Sequence, residues 1–413
     1  MKCLIMLTKN WTDMQSLKDA EDVCAWMDNY IGNTGNLMFM NAARFLATLP
    51  GNTCDFYNWY KMHENPDQYK EEINEEYDCV LYPMANVLQS NTQYLEDILT
   101  RIRGIHIPVF ILGIGITLEE NDTIEHLAGQ IRQPASELIH IVEKSGGAIA
   151  CRGYLTKELF DRLGAKDIVF ATGCPSLYQN GILHISNEKK EQADFHPGLN
   201  GRVQDFQEAV FQNSFTRFGA DYICQDQYSR ALYQPKLSFT ELLEKYGYTG
   251  VKLLMQKKVH YFADLTEWYT YIHNNIDFMF GTRIHGNLIA LLAGKPACVF
   301  LRNGHTDLRV KELADFYAVP TVQKLTGKQN LYDIYMDMDY TKFNERFVQN
   351  FENFRTFCVS HSICQDIPRT PNPVFMEDRH VTRPPMTNYE YLQEEYAHMN
   401  KVKKWLYERG IKH

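Results

Sequence analysis

The residues whose types and spacing best suit chemistry are Arg283 and His285, in the stretch FGTRIHGNLIALLAGKPACVF (280–300). A strand is predicted to end at Gly281, with Arg283 and His285 in the turn that follows and a helix starting near Asn287. Two residues apart in an extended turn, these side chains would face the same side. A guanidinium and an imidazole beside a helix N-terminus suit a ligand with carboxylate or phosphate groups. An isolated Arg-x-His is nonetheless common at ordinary strand–loop–helix junctions.

This motif lies within a repeated alternation of apolar strands and helices, which is typical of α/β domains with parallel sheets. The alternation restarts near residue 186. The sequence therefore predicts two Rossmann-like domains, 1–185 and 186–385, with mostly parallel sheets facing a cleft and ligands at the carboxyl ends of the strands. The last segment, 386–413, has helical composition and is expected to cross back to the first domain. Strands are predicted at 79–83, 108–113, 148–152, 168–171, within 218–224, and at 258–262, 277–281 and 297–301; helices are predicted at 93–103, 154–163, 264–273 and 287–293.

The charge and cysteine content exclude several classes of protein. The chain of 413 residues has 42 Lys and Arg against 51 Asp and Glu, a net charge of −9. General binding to duplex nucleic acid is therefore not expected, because it needs a strongly basic surface. The 10 cysteines form no Cys-x-x-Cys pair, so a zinc ribbon or a thioredoxin-type site has little support. Free thiols in a reducing cytosol are expected instead.

No stretch predicts a membrane span or a secretory signal. The longest apolar run, IPVFILGIGI (107–116), contains Pro and Gly and is about half the length of a membrane span, so it fits a buried strand. The N-terminus lacks the apolar core and cleavage site of a secretory signal. We therefore expect a soluble, cytoplasmic protein. The basic terminal sequence KVKKWLYERGIKH leaves open a peripheral membrane contact, although a packed helix with a solvated charged face is the commoner arrangement.

The longer sequence around the Arg-x-His resembles the signature of the polysaccharide pyruvyl transferase family. The resemblance continues upstream through VHYFADLTEWYTYIHNNIDFM (259–279) and downstream through GHTDLRVKELADFYAVP (304–320). In the first half, IGNTGNLMFMNA (31–42) is similar to the entry loop of the family, and Gly113-Ile114-Gly115 and Cys151–Tyr154 fall where the family has a glycine turn and an Arg before a helix. The sequence departs from the family at Cys174, where many members have Asp, and after about residue 325.

What the resemblance implies is a GT-B-like transferase that moves a pyruvyl group from phosphoenolpyruvate to a hexose hydroxyl pair of a glycan precursor and forms a pyruvate ketal. The acceptor would be a nucleotide- or lipid-linked sugar of cell-surface or exopolysaccharide biosynthesis, and no metal or organic cofactor is implied. The sequence does not reveal the acceptor sugar, its linkage and carrier, or the stereochemistry of the ketal. It also leaves open whether the protein forms a homo-oligomer.

The resemblance also selects the candidate site residues. His285 is suited to proton transfer near neutral pH because the pKa of histidine is ordinarily about 6.5, and Arg283 is its catalytic partner. His305, Asp307 and Arg309 could equally lie in a solvated loop without binding a ligand. Lys295 could instead interact with the C-terminus of a helix. Asn33 and Asn36 are residue types that turns commonly contain, whether or not they bind a ligand. The predicted substrate-binding residues are Arg152, Lys295, His305, Asp307, Arg309, Asn33, Gly35, Asn36, Gly113 and Gly115.

Two other functions compete with this one. A GT-B glycosyltransferase with a nucleotide-sugar donor would share the architecture and the anionic donor. The second half, however, lacks the Glu-x₇-Glu spacing of many retaining members, and the spacing from Glu64 to Glu72 lies in the first half. A non-catalytic carbohydrate-binding protein on the same fold is the second alternative, which the presence of both Arg283 and His285 disfavours.

Overall fold

The structure is a computed structural model that describes most of the chain. The described residues are 1–7, 16–17, 33–119, 122–165, 167–225, 239–302, 308–323, 325, 329–370, 380–381, 397 and 401.

The first half contains a seven-stranded sheet in which every paired strand is parallel. Its order is β3-β1-β4-β6-β7-β8, and β5 pairs with β6. The strands, with a separate short strand β2 (Ser16–Leu17), are β1 (Lys2–Ile5), β3 (Thr53–Phe56), β4 (Cys79–Pro83), β5 (Asn86–Leu88), β6 (Val109–Ile116), β7 (Ala148–Cys151) and β8 (Val169–Ala171). The α-helices are α1 (Gly35–Ala47), α2 (Trp59–Glu64), α3 (Pro66–Glu76), α4 (Gln93–Ile102), α5 (Ile124–Lys144) and α6 (Tyr154–Arg162).

The second half contains a six-stranded parallel sheet with the order β11-β10-β9-β12-β13-β14. Among the described residues, 3₁₀ helices lie at Pro175–Asn180, between the two sheets, and at Gln192–Asp194 and Val203–Gln207. The strands are β9 (Pro197–Asn200), β10 (Asp221–Cys224), β11 (Val259–Tyr261), β12 (Phe278–Gly281), β13 (Ala297–Phe300) and β14 (Thr321–Val322), while β15 (His380–Val381) pairs with β2. The α-helices are α7 (Ala209–Arg217), α8 (Phe239–Met255), α9 (Leu265–Asn275), α10 (Ile284–Leu292), α11 (Leu308–Tyr317), α12 (Leu331–Asp337) and α13 (Thr341–Ser360).

Both sheets reverse their strand order at one point, which is where open α/β sheets bind ligands. In the second sheet this reversal lies between β9 and β12, because β10 and β11 extend to one side and β13 and β14 to the other. Asn200 ends β9 and pairs in register with Gly281, which ends β12. The topology thus places Asn200 and the Arg-x-His motif together at the carboxyl edge of the sheet. Two Rossmann-like domains of parallel sheets define a GT-B-like fold.

Helix α10 is hydrophobic around its whole circumference, as a helix enclosed by protein must be. From His285 to Leu292 every residue is buried, and α10 packs on α9, α1 and the 3₁₀ helix Pro175–Asn180. Full burial of a Leu or Ile side chain stabilises a fold by roughly 1.5–3 kcal/mol. Since α1 belongs to the first half, this packing fixes the N-terminus of α10 against it.

Helix α13 connects the halves a second time. The Phe357 ring lies 5.4 Å from that of Phe170 in β8, and the Asn52 side chain donates to the Ile363 carbonyl at 2.8 Å. The helix that crosses back within the described chain is therefore α13. The predicted crossing segment, 386–413, lies outside the described residues apart from 397 and 401.

The predicted strands in both halves are confirmed to within three residues at each end. The expected boundary at 185/186 falls between Ala171, the end of the first sheet, and Pro197, the start of the second. The predicted start of the helix after the motif is wrong, because α10 begins at Ile284. Among the described helices, none is long and apolar enough to cross a membrane.

Candidate active site

A cavity of about 240 Å³ lies between the two halves at the carboxyl ends of their strands. Both halves supply its walls. The first half contributes Asn33, Asn36, Ala85, Asn86 and Arg152, and the second contributes Gln225, Thr282, Arg283, Ile284, His285, Arg309 and Val310. This lining includes three arginines and no aspartate or glutamate, so the described wall of the cavity favours an anion.

Two buried asparagines hold the Arg-x-His segment in place. The Arg283 backbone N–H donates to the Asn200 side chain at 2.9 Å, and the Asn200 amide donates to Asn287 at 3.2 Å. The Asn287 amide in turn donates to the carbonyls of Gly281 and Arg283, both at 3.1 Å. Arg283 is thus the N-cap residue of α10 and His285 lies in its first turn. The expectation that both residues lie in an extended turn is wrong, because these bonds start the helix earlier.

His285 is enclosed by elements of the first half. A Cβ on Gly35 would lie 2.8 Å from the His285 Cβ, so the glycine allows α1 to approach the imidazole closely. The Phe39 ring is 6.0 Å away. Burial, followed by the positive charges of Arg152 and Arg309, lowers the pKa of His285 to about 3. The imidazole is therefore neutral near neutral pH, and it can accept a proton.

Cys174 lies beside this imidazole. Its sulfur is 3.8 Å from His285 Nε2 and 3.1 Å from the Ser176 hydroxyl. The thiol is completely buried. A neutral partner at this position provides no fixed negative charge to raise the pKa of the imidazole.

Arg152 reaches the cavity from the end of β7 and is 3% exposed. Its Nε donates to the Gly113 carbonyl at 2.8 Å and its Nη1 donates to the Asn86 side chain. Its Nη2 is buried and has no hydrogen-bond partner within the described part of the chain. A Cβ on Gly115 would lie 2.8 Å from the Arg152 Cδ, so this glycine makes room for the side chain. The Arg152 guanidinium is therefore held in place, and its Nη2 remains available to donate a hydrogen bond to a ligand.

Glu312 of α11 fixes the same loop from the second half. Its carboxylate accepts hydrogen bonds from the Thr156 N–H at 2.7 Å and the Thr156 hydroxyl at 3.0 Å, at the N-terminus of α6. Burial raises the pKa of Glu312 above its ordinary value, partly against the effect of these bonds. Because α6 directly follows Arg152 and Gly153, Glu312 couples the position of Arg152 to the second half.

The structure brings most of the predicted site residues together, and it shows what each of them contacts. Gly35 packs against His285, while Gly113 and Gly115 lie behind Arg152, so these glycines shape the site without lining it. Lys295 precedes β13, at the opposite edge of the second sheet, where Asp277 is its charged neighbour. His305 and Asp307 lie outside the described residues. The predicted residues that line the cavity are Arg152, Arg283, His285, Arg309, Asn33 and Asn36.

Several residues of the site were not predicted from the sequence, although the ends of predicted strands could have revealed two of them. Asn200 ends β9, Gln225 directly follows β10, and Asn86 lies three residues beyond β4. Gln225 and Asn86 follow predicted strands, so the rule that ligands gather at carboxyl ends of parallel strands could have found them, whereas no strand was predicted ahead of Asn200. The contacts of Cys174 and Glu312 depend on packing between the halves, which no local pattern encodes.

The described residues do not favour a metal centre. No group of three or more His, Cys, Asp or Glu side chains suited to a metal ion is found among them. The cavity instead combines guanidinium groups, amides, the N-terminus of a helix and a neutral imidazole. This combination can hold a small ligand with two anionic groups and move one proton beside it.

The fold and the site define a two-domain α/β protein with an arginine-lined cleft between its Rossmann-like halves. In a comparison with protein families, residues 55–304, more than half of the chain, match polysaccharide pyruvyl transferase. The protein belongs to the polysaccharide pyruvyl transferase family, as the sequence resemblance predicts. A comparison with curated proteins finds no match.

The solved structures that match this chain are distant in sequence. A UDP-GlcNAc 2-epimerase from Neisseria meningitidis bound to UDP-GlcNAc is 9% identical, with 96% of this chain and 99% of that chain covered and a TM-score of 0.43. A putative UDP-N-acetylglucosamine 2-epimerase from Listeria monocytogenes is 10% identical, with 90% of this chain and 99% of that chain covered and a TM-score of 0.43. The E. coli heptosyltransferase WaaC with ADP is 12% identical, with 77% of this chain and 98% of that chain covered and a TM-score of 0.28.

Proposed function

We propose that the protein transfers a pyruvyl group from phosphoenolpyruvate to a pair of hydroxyl groups on a hexose of a glycan precursor and forms a pyruvate ketal. The observation that supports this most is the cavity itself. It has three arginines, no described carboxylate, and a neutral histidine. Phosphoenolpyruvate carries a phosphate and a carboxylate, and fixed guanidinium groups suit both.

The arrangement suggests how the binding energy is divided. Arg152 approaches from the first half, and Arg283 and the N-terminus of α10 approach from the second. A donor with an anionic group at each end would fit between them. Its reacting carbon would then be held beside His285, and such positioning is a large part of catalysis for reactions between two substrates.

His285 would begin the reaction as a base because its imidazole is neutral near neutral pH and so has a free nitrogen lone pair. In the first step a sugar hydroxyl attacks the central carbon of phosphoenolpyruvate, His285 takes the hydroxyl proton, and the methylene carbon gains a proton to become a methyl group. In the second step a neighbouring hydroxyl attacks the same carbon, phosphate leaves with the electrons of the carbon–oxygen bond, and the proton of that hydroxyl passes to the departing phosphate. The arginines would stabilise the negative charge on the departing phosphate.

Acceptor-dependent release of phosphate tests this function. The purified protein is incubated with phosphoenolpyruvate and a panel of nucleotide- and lipid-linked hexoses, and inorganic phosphate and the mass of the acceptor are followed. We expect phosphate release only with a suitable acceptor, together with an acceptor mass that increases by one pyruvyl ketal. Transfer of a sugar from a nucleotide sugar, with phosphoenolpyruvate inert, would support the glycosyltransferase alternative instead.

A further inference from the structure

Gln225 connects the two halves beside the cavity. It directly follows β10, and its carbonyl oxygen accepts hydrogen bonds from the Thr34 backbone N–H at 2.9 Å and the Thr34 hydroxyl at 3.3 Å. Thr34 precedes the first residue of α1. The Gln225 residue is 3% exposed and lines the cavity. Its backbone thus joins the halves and leaves the side-chain amide for another role.

Two glycines, one from each half, make room for this amide. A Cβ on Gly35 would lie 2.9 Å from Gln225 Oε1, and a Cβ on Gly286 would lie 2.6 Å from Gln225 Nε2. Gly35 begins α1 and Gly286 lies in the first turn of α10. The side-chain amide is therefore held between the N-termini of two helices, both of which favour negative charge nearby.

The Gln225 amide has an unused donor. Its Nε2 is buried and finds no hydrogen-bond partner among the residues that the structure describes. Buried donors in folded proteins are nearly always paired, and an unpaired one is costly. Arg152 Nη2, on the wall that the first half contributes, is in the same state. Two unused donors on one cavity, one from each half, indicate a ligand with oxygen acceptors on two sides.

We propose that Gln225 is a ligand-binding residue whose side-chain amide donates to an oxygen of the anionic donor from the second half, while Arg152 lines the cavity from the first. The assignment rests on the proposed function, because it takes phosphoenolpyruvate as the ligand. It adds a buried neutral donor to the arginines and the helix N-terminus that supply the positive charge of the site. A neutral amide can orient an oxygen of the ligand without binding it so tightly that product release is slowed.

The replacement Gln225→Met tests this role because Met has nearly the same length and no donor. Phosphoenolpyruvate binding is measured by calorimetry, and the melting temperature is measured with and without ligand. We expect the Kd to rise by about tenfold to a hundredfold, since that is the usual worth of a hydrogen bond to a charged group. The melting temperature without ligand should stay the same or rise, because an unpaired donor has been removed from the interior.

A second pair of variants separates local from general charge effects. Gln225→Glu should weaken binding more than Gln225→Met, because it places a carboxylate in the anion site. Gln212→Glu makes the same charge change on the exposed side of α7 and should leave the Kd unchanged.

Three results would overturn the assignment. The first is a Gln225→Met protein that melts at a lower temperature and binds phosphoenolpyruvate as wild type does, since Gln225 would then be purely structural. The second is an equal loss of affinity in Gln212→Glu and Gln225→Glu. The third is a wild-type protein that does not bind phosphoenolpyruvate, which overturns the proposed function as well.

Discussion

Strand β10 has a cluster of polar groups at each end, and the two clusters differ in how their hydrogen bonds are satisfied. At its start the buried Asp221 carboxylate accepts from His196 at 2.9 Å, Lys258 at 3.0 Å and the Tyr271 hydroxyl at 2.7 Å. Just beyond its other end lies Gln225, in a cavity wall whose described residues offer many donors and no carboxylate.

The two clusters serve different purposes: the one at Asp221 stabilises the fold, and the one at Gln225 suits ligand binding. Burial acts to raise the pKa of Asp221, but hydrogen bonds from His196, His260 and Tyr271 outweigh it and hold that pKa well below its usual range. The group is thus paired within the protein itself. At the cavity the lowered pKa of His285 reflects its burial, followed by the positive charges of Arg152 and Arg309, and the described lining includes no carboxylate. An excess of donors there is what a site for an anion requires.

The largest effect is expected from His285→Ala. We predict that turnover falls by about 10²- to 10⁴-fold, the usual contribution of a proton-transferring group, while phosphoenolpyruvate still binds. Phosphate release and calorimetry measure the two quantities. The matched control is His260→Ala at the Asp221 end of β10, which should retain turnover. Full turnover in His285→Ala would exclude the proposed proton transfer, whereas normal binding without turnover would exclude the non-catalytic alternative.

The next effect concerns the cations of the two clusters. Arg152→Ala should raise the Kd for phosphoenolpyruvate by roughly tenfold to a thousandfold, because a buried charge of the site is lost. Lys258→Ala removes a cation that pairs with Asp221 and should leave that Kd unchanged. Calorimetric titration of both variants checks the prediction. Similar losses of affinity in the two would show that overall charge, and not the cavity, controls binding.

A pH profile tests the influence of Cys174 on His285. The wild-type histidine has a pKa of about 3, so it should produce no loss of kcat/KM as the pH falls from 8 towards 5. In Cys174→Asp a carboxylate beside Nε2 should raise that pKa and create such a loss, because the protonated imidazole is no longer a base. Cys174→Ser keeps a neutral partner and should resemble wild type. Identical profiles for the Asp and Ser variants would contradict this role of Cys174.

The smallest effect is on stability in acid. Between about pH 6.5 and about pH 3 the unfolded chain binds a proton at His285 that the folded protein excludes, so the free energy of unfolding should decrease as the pH is lowered through this range. His285→Gln should weaken this dependence, while His106→Gln, at an exposed position, should not. Denaturant unfolding at several pH values measures it. An unchanged dependence in His285→Gln would show that the imidazole titrates normally.

Much of the fold follows from local sequence patterns. Continuous apolar runs such as 79–83 and 108–113 predicted buried parallel strands. The predicted helix 264–273 is confirmed as α9, where the Asp264 side chain provides the N-cap by accepting from the Glu267 N–H at 2.8 Å. The start of α10 could not be placed, because it depends on Asn200 and Asn287 bonding across the sheet. The short strand β1 was not identified from the sequence either.

The site was predictable only in part, for the same reason. Arg283, His285 and Arg152 follow from the family resemblance together with their positions at strand ends. The lowered pKa of His285 could not be foreseen, since it results from burial against the first half and from Arg152 and Arg309. From the sequence alone, the ordinary pKa of a histidine, about 6.5, was expected. The Cys174 contact and the Glu312 cap likewise require the two halves to be assembled.

Thermal unfolding in the presence of phosphoenolpyruvate tests the central claim, that this cavity holds a small dianion, most directly. A ligand that binds only the folded protein raises the melting temperature as its concentration exceeds its Kd. We predict such a rise with phosphoenolpyruvate, its reduction in Arg152→Ala, and none with nucleotide sugars alone. A rise with a nucleotide sugar and none with phosphoenolpyruvate would contradict the claim.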